Sequence, residues 1–412
     1  MPEISFVNLL IVAAVAVLAP LAVGYLPRLR LPSVVLEIVA GVILGPSVLG
    51  WVQVDLPVQV LSVLGLAFLL FLAGLEIDVH ALRGRSIRIA GLGYGLTLAL
   101  GVAVGAGLAA VGWTRSPLLV AIALSATSLG LVVSVLKDAG QADGPVGQIT
   151  IASSTVADFG AIVLLTLFFS TSGRGAGSTL VLLATFVGLV VVVGLVLTRA
   201  GKSMRLGTVL VRLQDTTAEI RIRMSVLLLI AFVAVAERFG LETILGAFLA
   251  GALVGVVDRD SASHPRFRMK LEAVGYGFLV PVFFVASGVR LDLQGLIAQP
   301  SALLRVPVFL LALLLIRGLP ALLYVRDLGW SATVAAGLLQ ATSLPFLVTA
   351  ATIGMQVGTI SSVTGAALVC AGLLSVLIFP AAALSRLRDR TPPNAASTPT
   401  SAREAPAHSE AM

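Results

Sequence analysis

The chain has 412 residues, 58% of them hydrophobic and 11% charged, with a formal net charge of +7. A soluble domain carries about 25% charged residues, so this deficit excludes an ordinary water-soluble globule. It points instead to membrane spans of roughly 20 residues joined by short loops. The basic residues are spread through those loops and not gathered in one patch, which argues for a lipid bilayer and against nucleic acid as the partner.

The first apolar run, 4–26, has Glu3 before it and Arg28 and Arg30 after it, the reverse of a signal peptide's charge order. It is therefore predicted to be a retained first span. Further apolar runs follow at 32–50, 57–77, 87–112, 117–136, 145–171 and 178–199. A basic, partly amphipathic stretch over 201–223 is predicted as a surface helix or linker. After it come runs at 222–237, 241–257, 271–289, 301–325, 329–355 and 359–385. None shows the two-residue alternation of a barrel strand. The expected fold is an all-α polytopic membrane protein of about thirteen spans over residues 1–388. The tail 389–412, rich in Ala, Pro, Ser and Thr, cannot bury a core and is predicted to be disordered.

Placing alternate loops on opposite sides tests the span count. One side gathers Arg28, Arg30, Arg83, Arg88, Lys137, Arg199, Lys202, Arg205, Arg221, Arg223, Arg266, Arg268, Lys270, Arg326 and Arg386 among others. The other side keeps only Arg115, Arg174, Arg238, Arg290 and Arg305. The positive-inside rule then puts the N-terminus outside and the C-terminus in the cytoplasm.

Three short words recur in the same order. Leu36-Glu37-Ile-Val-Ala-Gly41 resembles Leu241-Glu242-Thr-Ile-Leu-Gly246, and Ala73-Gly74-Leu-Glu-Ile-Asp78 resembles Ser287-Gly288-Val-Arg-Leu-Asp292. Ala126-Thr127-Ser128-Leu129 returns unchanged as Ala341-Thr342-Ser343-Leu344. Each pair lies seven spans apart, an odd number, so the copies face opposite ways. Inverted repeats of this kind are a signature of secondary transporters. They are expected over 4–171 and 222–385, linked by 178–223.

Asp158 lies near the middle of 145–171, where a carboxylate costs roughly 2.5–3.5 kcal/mol, so it is expected to face a water-filled cavity. Ser154 and Thr155 share its helical face. Thr127 and Ser128 (beside Gly130) and Thr342 and Ser343 (beside Pro345) mark places where a helix can unwind and free its carbonyls. Such oxygens suit Na⁺, K⁺ or H⁺ and not soft metals. A proton and a metal ion would compete for the one carboxylate. The plainer readings are a structural hydrogen bond at Asp158 and small-residue packing at the repeated words. Arg317, inside a span before Gly318 and Pro320, is expected to balance charge or steady a broken helix end. Glu37 and Glu242 lie near span ends and are predicted to be wet or interfacial. No second acidic ion site and no basic substrate clamp is evident at membrane depth.

Cys370 stands alone in an apolar run and is read as a packing residue. His80, His264 and His408 fall in loops or the tail, and no nucleophile–base pair appears, so neither an enzyme nor a cofactor is expected. The Gly91–Gly95 run sits inside a span and is no dinucleotide fingerprint.

Leu36–Pro46, Phe71–Asp78, Phe283–Gly288 and the Ser-Thr-Val-Ala-Asp158 segment resemble the cation:proton antiporter superfamily, in its Kef-type and NapA-like bacterial branch. The resemblance implies a NapA/NhaA-like fold in which two broken helices, 117–136 and 329–355, cross beside the ion-binding aspartate. It implies that Asp158 carries the ion, with a hydroxyl from Ser154 and a carbonyl or hydroxyl from Thr127, and that Arg317 stands where the family keeps a membrane-embedded Lys or Arg. It further implies a homodimer in a bacterial inner membrane, serving pH homeostasis, with a separate regulatory subunit left open. Electrogenic members have Asp-Asp where this chain has Ala157-Asp158, so electroneutral exchange of Na⁺ or K⁺ for H⁺ is expected. Nucleotide or glutathione regulation is not supported. A sodium-coupled solute symporter and a channel or regulatory subunit are the alternatives.

Overall fold

The computed structural model of the chain describes residues 6–25, 32–76, 85–142, 144–169, 176–201, 219–257 and 265–388, and no strand occurs among them. The tail 389–412 and most of 201–223 lie outside the described residues, as do His80, His264 and His408. In chain order the helices are α1 Val7–Tyr25, α2 Ser33–Leu44, α3 Leu56–Leu75, α4 Arg85–Ala110, α5 Pro117–Ser125, α6 Leu129–Asp138, α7 Pro145–Phe169 and α8 Ala176–Gly201. There follow α9 Ile220–Phe239, α10 Thr243–Val257, α11 Pro265–Val274, a π-turn Gly275–Leu279 and α12 Val280–Val289. After α13 Leu293–Ala298 and α14 Pro300–Leu303 come α15 Arg305–Leu313, a π-turn Leu314–Gly318 and a 3₁₀ turn Leu319–Tyr324. The chain continues through α16 Val325–Leu328, α17 Trp330–Gln340, α18 Pro345–Gln356 and α19 Ser362–Arg388.

Each apolar run in the sequence contains helix among the described residues. Among the described residues, 8 helices are long and apolar enough to cross a membrane, or up to 9 when the bent pair α17 and α18 is taken as one. Ser33–Leu44, Pro117–Val133 and Thr243–Val257 are shorter apolar helices, so length alone does not yield the thirteen crossings expected. Leu10, Val17, Leu92 and Val192 on α1, α4 and α8 are exposed, a surface that a bilayer and not water would cover.

Helix starts follow local chemistry. The Asp55 carboxylate accepts from Val58 N–H at 3.2 Å to cap α3, and Ser116 Oγ accepts from Leu119 N–H at 3.2 Å to cap α5. Pro57 and Pro117 sit in the first turns, where a missing N–H is harmless.

Close packing joins α3 to α10 and α2 to α12. A β-carbon on Gly41 would strike the Val285 carbonyl, and one on Gly288 the Ile38 carbonyl. Gly74 with Phe248, and Gly251 with Phe71, repeat this relation. The repeated words fall at α2 and α10 and at α3 and α12. The two glycine-lined pairs are therefore exchanged partners, as an inverted duplication requires.

Both predicted interruptions are present. α5 and α6 are separated at Ala126, Thr127 and Ser128, with Ala126 extended at φ −78°, ψ 161°. α17 and α18 are separated at 341–344 and bent by 41°. The breaks touch: Ser128 N–H donates to the Thr342 carbonyl at 2.8 Å, and Leu344 N–H donates to Ser128 Oγ at 3.2 Å.

Candidate functional site

α7 presents Asp158 to the first break. Its Oδ1 accepts from Thr127 N–H at 2.8 Å and its Oδ2 from Leu129 N–H at 3.3 Å. Ser128, the residue at the N-cap of α6, makes no cap with its own side chain. Asp158 thus serves as a cap supplied by another helix. It sits at the positive end of the α6 dipole, a position worth up to ~2 kcal/mol to a carboxylate in a partly buried setting.

Arg317, on the Leu314–Gly318 π-turn and 1% exposed, holds the same break from the other side. Its Nη2 and Nε donate to Thr127 Oγ1 at 2.6 and 3.0 Å, its Nε also to the Gln340 carbonyl at 3.3 Å, and its Nη1 to Thr97 Oγ1 at 3.3 Å. Thr127 Oγ1 donates to the same Gln340 carbonyl at 2.8 Å. The guanidinium therefore neutralises the carbonyl end of α17 and ties it to the first break. Single π-turns of this kind concentrate at functional positions. Among the described residues no ion pair joins Arg317 to Asp158.

A cavity of about 990 Å³ reaches Asp158, Thr127 and Ser128 from the end of the molecule where Lys137 and Ser385 are exposed. Ser154, one turn before Asp158 on α7, is 0% exposed, and its Oγ has no hydrogen-bond partner. Such an orphan costs about 1–3 kcal/mol unless something binds it. Thr155 is turned to its own helix, donating from Oγ1 to the Ile151 carbonyl at 2.9 Å.

Thr342 and Ser343 are fully buried at the crossing. Thr342 Oγ1 donates to the Leu338 carbonyl at 3.1 Å, while Ser375 Oγ on α19 accepts from Ser343 N–H at 3.1 Å and shares its one hydrogen between the carbonyls of Gly372 at 2.7 Å and Ser343 at 3.0 Å.

Several residues of this constellation are not evident in the sequence. Tyr94 pairs its hydroxyl with Ser125 Oγ at 3.2 Å at the end of α5, and its ring packs on Gly160 of α7. Gln340 is fully buried with both side-chain amide atoms unpartnered. Two expectations need correction. Glu37 is not wet, being 3% exposed, because α12 covers α2 on that side. Further acids do reach the cavity: Glu76, which follows α3, and Glu272 line it together with Asp158. In the sequence Glu76 falls at the end of the run 57–77 with nothing to mark its direction, and in the structure its carboxylate reaches the first turn of α6 at Gly130.

The family model described as "Sodium/hydrogen exchanger, transmembrane" matches residues 13–384. The chain is 32% identical over 396 residues to the "Putative Na(+)/H(+) antiporter YjbQ" of Bacillus subtilis (strain 168), covering 92% of this chain and 63% of that protein's length. It is 25% identical over 371 residues to the "Probable Na(+)/H(+) antiporter 3" of Methanocaldococcus jannaschii, covering 86% of this chain and 90% of that one. The solved structure of the sodium proton antiporter MjNhaP1 from Methanocaldococcus jannaschii superposes with a TM-score of 0.62 over 92% of this chain and 98% of that one. At 16% identity that likeness establishes a shared fold.

Proposed function

The chain belongs to the sodium/hydrogen exchanger family, and from that premise we propose that it exchanges a monovalent cation, Na⁺ or K⁺, for H⁺ by alternating access at Asp158. The observation that carries this reading is the pair of backbone N–H groups held by Asp158 at the wall of the open cavity. An ionised carboxylate accepts both bonds and attracts a cation. A protonated one carries an O–H and accepts less well. Proton and cation are thus mutually exclusive on the group that holds the break of α5 and α6.

Ser154 Oγ supplies a hydroxyl ligand, for which its lack of any partner speaks. The Thr127 hydroxyl is committed to Arg317 and Gln340, so Thr127 contributes its carbonyl. Ser128 lines the path, Thr155 steadies α7, and Thr342 and Ser343 form the partner break. Arg317 balances charge without entering the cavity. With Ala157 beside Asp158, exchange is one-for-one and electroneutral. The protein works as a homodimer in a plasma membrane, with the cavity mouth near Lys137 and Arg268 on the cytoplasmic side, N-terminus outside and C-terminus inside.

The test is transport into proteoliposomes loaded with a pH dye, with Na⁺ or K⁺ added outside. The wild type moves protons when cation is added, and Asp158→Asn falls to background. Each unit of acidification raises the half-saturating cation concentration by up to about tenfold, the limit of one-proton competition. Cation flux without proton counterflow, or full exchange by the Asn variant, overturns the reading.

A further inference from the structure

Glu76 is the C-cap of α3, with φ −75°, ψ −10° and its N–H donating to the carbonyls of Leu72 and Gly74. Its side chain turns into the cavity that reaches Asp158, and its buried Oε2 has no hydrogen-bond partner. It lies over the first turn of α6: a β-carbon built on Gly130 would stand 3.3 Å from Oε2 and 3.4 Å from Oε1. Asp158 accepts from Leu129 N–H in that same turn, so two carboxylates bracket it. The charged groups around Glu76 are Asp158, Lys137, Arg268 and Glu272. Arg268 is already engaged, with its Nη2 donating to the Leu75 carbonyl at 3.0 Å and its Nε 3.6 Å from Glu272 Oε1. Lys137 is exposed at the mouth.

The duplicated word places Arg290 where the first repeat has Glu76. Arg290 is likewise a C-cap, of α12, at φ −79°, ψ −8°, with its N–H donating to the carbonyls of Ala286 and Gly288. It lines a separate cavity of about 540 Å³ with Gln53 and Asp292, at the end of α3 opposite to Glu76. The Asp292 carboxylate there is committed to Gly295 N–H at 2.8 Å and Ser362 Oγ at 3.1 Å. Two structurally matched positions therefore carry opposite charge on opposite faces.

We propose that Glu76 is a second monovalent-cation station between Asp158 and the cavity mouth, and that the Glu76–Arg290 inversion makes this protein bind cation more tightly from the Glu76 face than from the other. This rests on the exchange reading above. An unpaired, partly dehydrated carboxylate holds a hydrated alkali ion by charge and passes it to Asp158 across one helical turn. The guanidinium at the matched place repels the same ion.

The experiment uses the full chain in membrane vesicles of both orientations, with Na⁺ offered to one face at a time. In the wild type the half-saturating Na⁺ concentration is lower from the Glu76 face. Glu76→Gln raises it there by roughly 3- to 10-fold, as expected for one attraction at intermediate dielectric, while the maximal rate stays within about twofold. The value from the opposite face does not move, and Arg290→Gln lowers it. A merely structural role would move both faces or the maximal rate. Should Glu76→Gln not accumulate, Glu76→Asp keeps the face asymmetry, and wild-type protein soaked in Tl⁺ shows density at the Glu76 carboxylate. Equal half-saturation from both faces of the wild type, an unchanged Glu76→Gln, or no Tl⁺ at Glu76 overturns the proposal. Absence of any cation-driven proton movement in the wild type would instead overturn the exchange reading.

Discussion

The two interrupted helices start from the same four residues, Ala-Thr-Ser-Leu, and are interrupted by different means. In the second, Pro345 follows directly. Its ring disfavours helical geometry at Leu344, which stands at φ −140°, ψ −59°. The buried N–H and carbonyl that the break frees at Ser343 are then met by a neutral hydroxyl, Ser375, which accepts from the one and donates to the other in competition with the Gly372 carbonyl. In the first, Gly130 and not Pro follows Leu129, so nothing covalent forces the chain open. That break is held from outside, by the Asp158 carboxylate on its N–H groups and by Arg317 on the Thr127 hydroxyl. One interruption is built in and held by a group that cannot change charge. The other depends on a carboxylate that can, so chemistry at Asp158 is also chemistry of the helix.

The sharpest way to break this contrast is Arg317→Ala. It removes the donors to Thr127, Gln340 and Thr97 at once, from a site that is 1% exposed. The expected loss is about 3 kcal/mol, at the upper end for hydrogen bonds from a charged group. In detergent this lowers the melting temperature by about 3–4 °C. Arg317→Lys recovers only part, because one ammonium nitrogen cannot occupy the places of Nε, Nη1 and Nη2 at once. An unchanged melting temperature would mean that the first break needs no outside support.

Ser375→Ala probes the second break and is expected to do less. Ser343 N–H and carbonyl lose their shared partner, at a cost of about 1–2 kcal/mol. Because Pro345 still interrupts the helix, the half-saturating cation concentration stays within about twofold of wild type. A large rise in that concentration would show the second break to be as adjustable as the first.

The sequence makes both interruptions, the duplication and Asp158 legible for a common reason. Each is a violation of a local rule, such as a carboxylate or a hydroxyl pair inside an apolar run, and violations stand out against the uniform background. Tyr94 and Thr97 break no such rule, and Glu76 and Gln340, though polar and inside the runs 57–77 and 329–355, stand alone with no repeat or breaker to single them out. Glu76 sits at the very end of α3, and Tyr94 lies in an ordinary apolar stretch, so only the packing of α4 and α7 on α5 and the approach of Glu76 to Gly130 reveal them. Arg317 is an intermediate case. Its burial is readable from its span, but its partners, a hydroxyl and a carbonyl instead of the acid, come from the crossing alone. The misreading of Glu37 has a similar source, since nearness to a span end does not show that another helix covers it.

Ser154→Ala has the smallest expected effect and the most discriminating one, since its two consequences have opposite signs. Ser154 Oγ is fully buried without a partner, so removing it relieves a penalty, and the cation-free protein gains up to about 1 kcal/mol. The same change deletes a cation ligand. Since a bound ligand at free concentration L stabilises a protein by RT ln(1 + L/Kd), a weaker Kd makes the rise in melting temperature on adding Na⁺ shrink. Thermal unfolding in choline and in Na⁺ separates the two terms. If the variant is less stable in choline, the hydroxyl has a structural partner. If the Na⁺-induced rise is undiminished, Ser154 does not touch the ion, and the cation is held by the Asp158 carboxylate and backbone oxygens of the break.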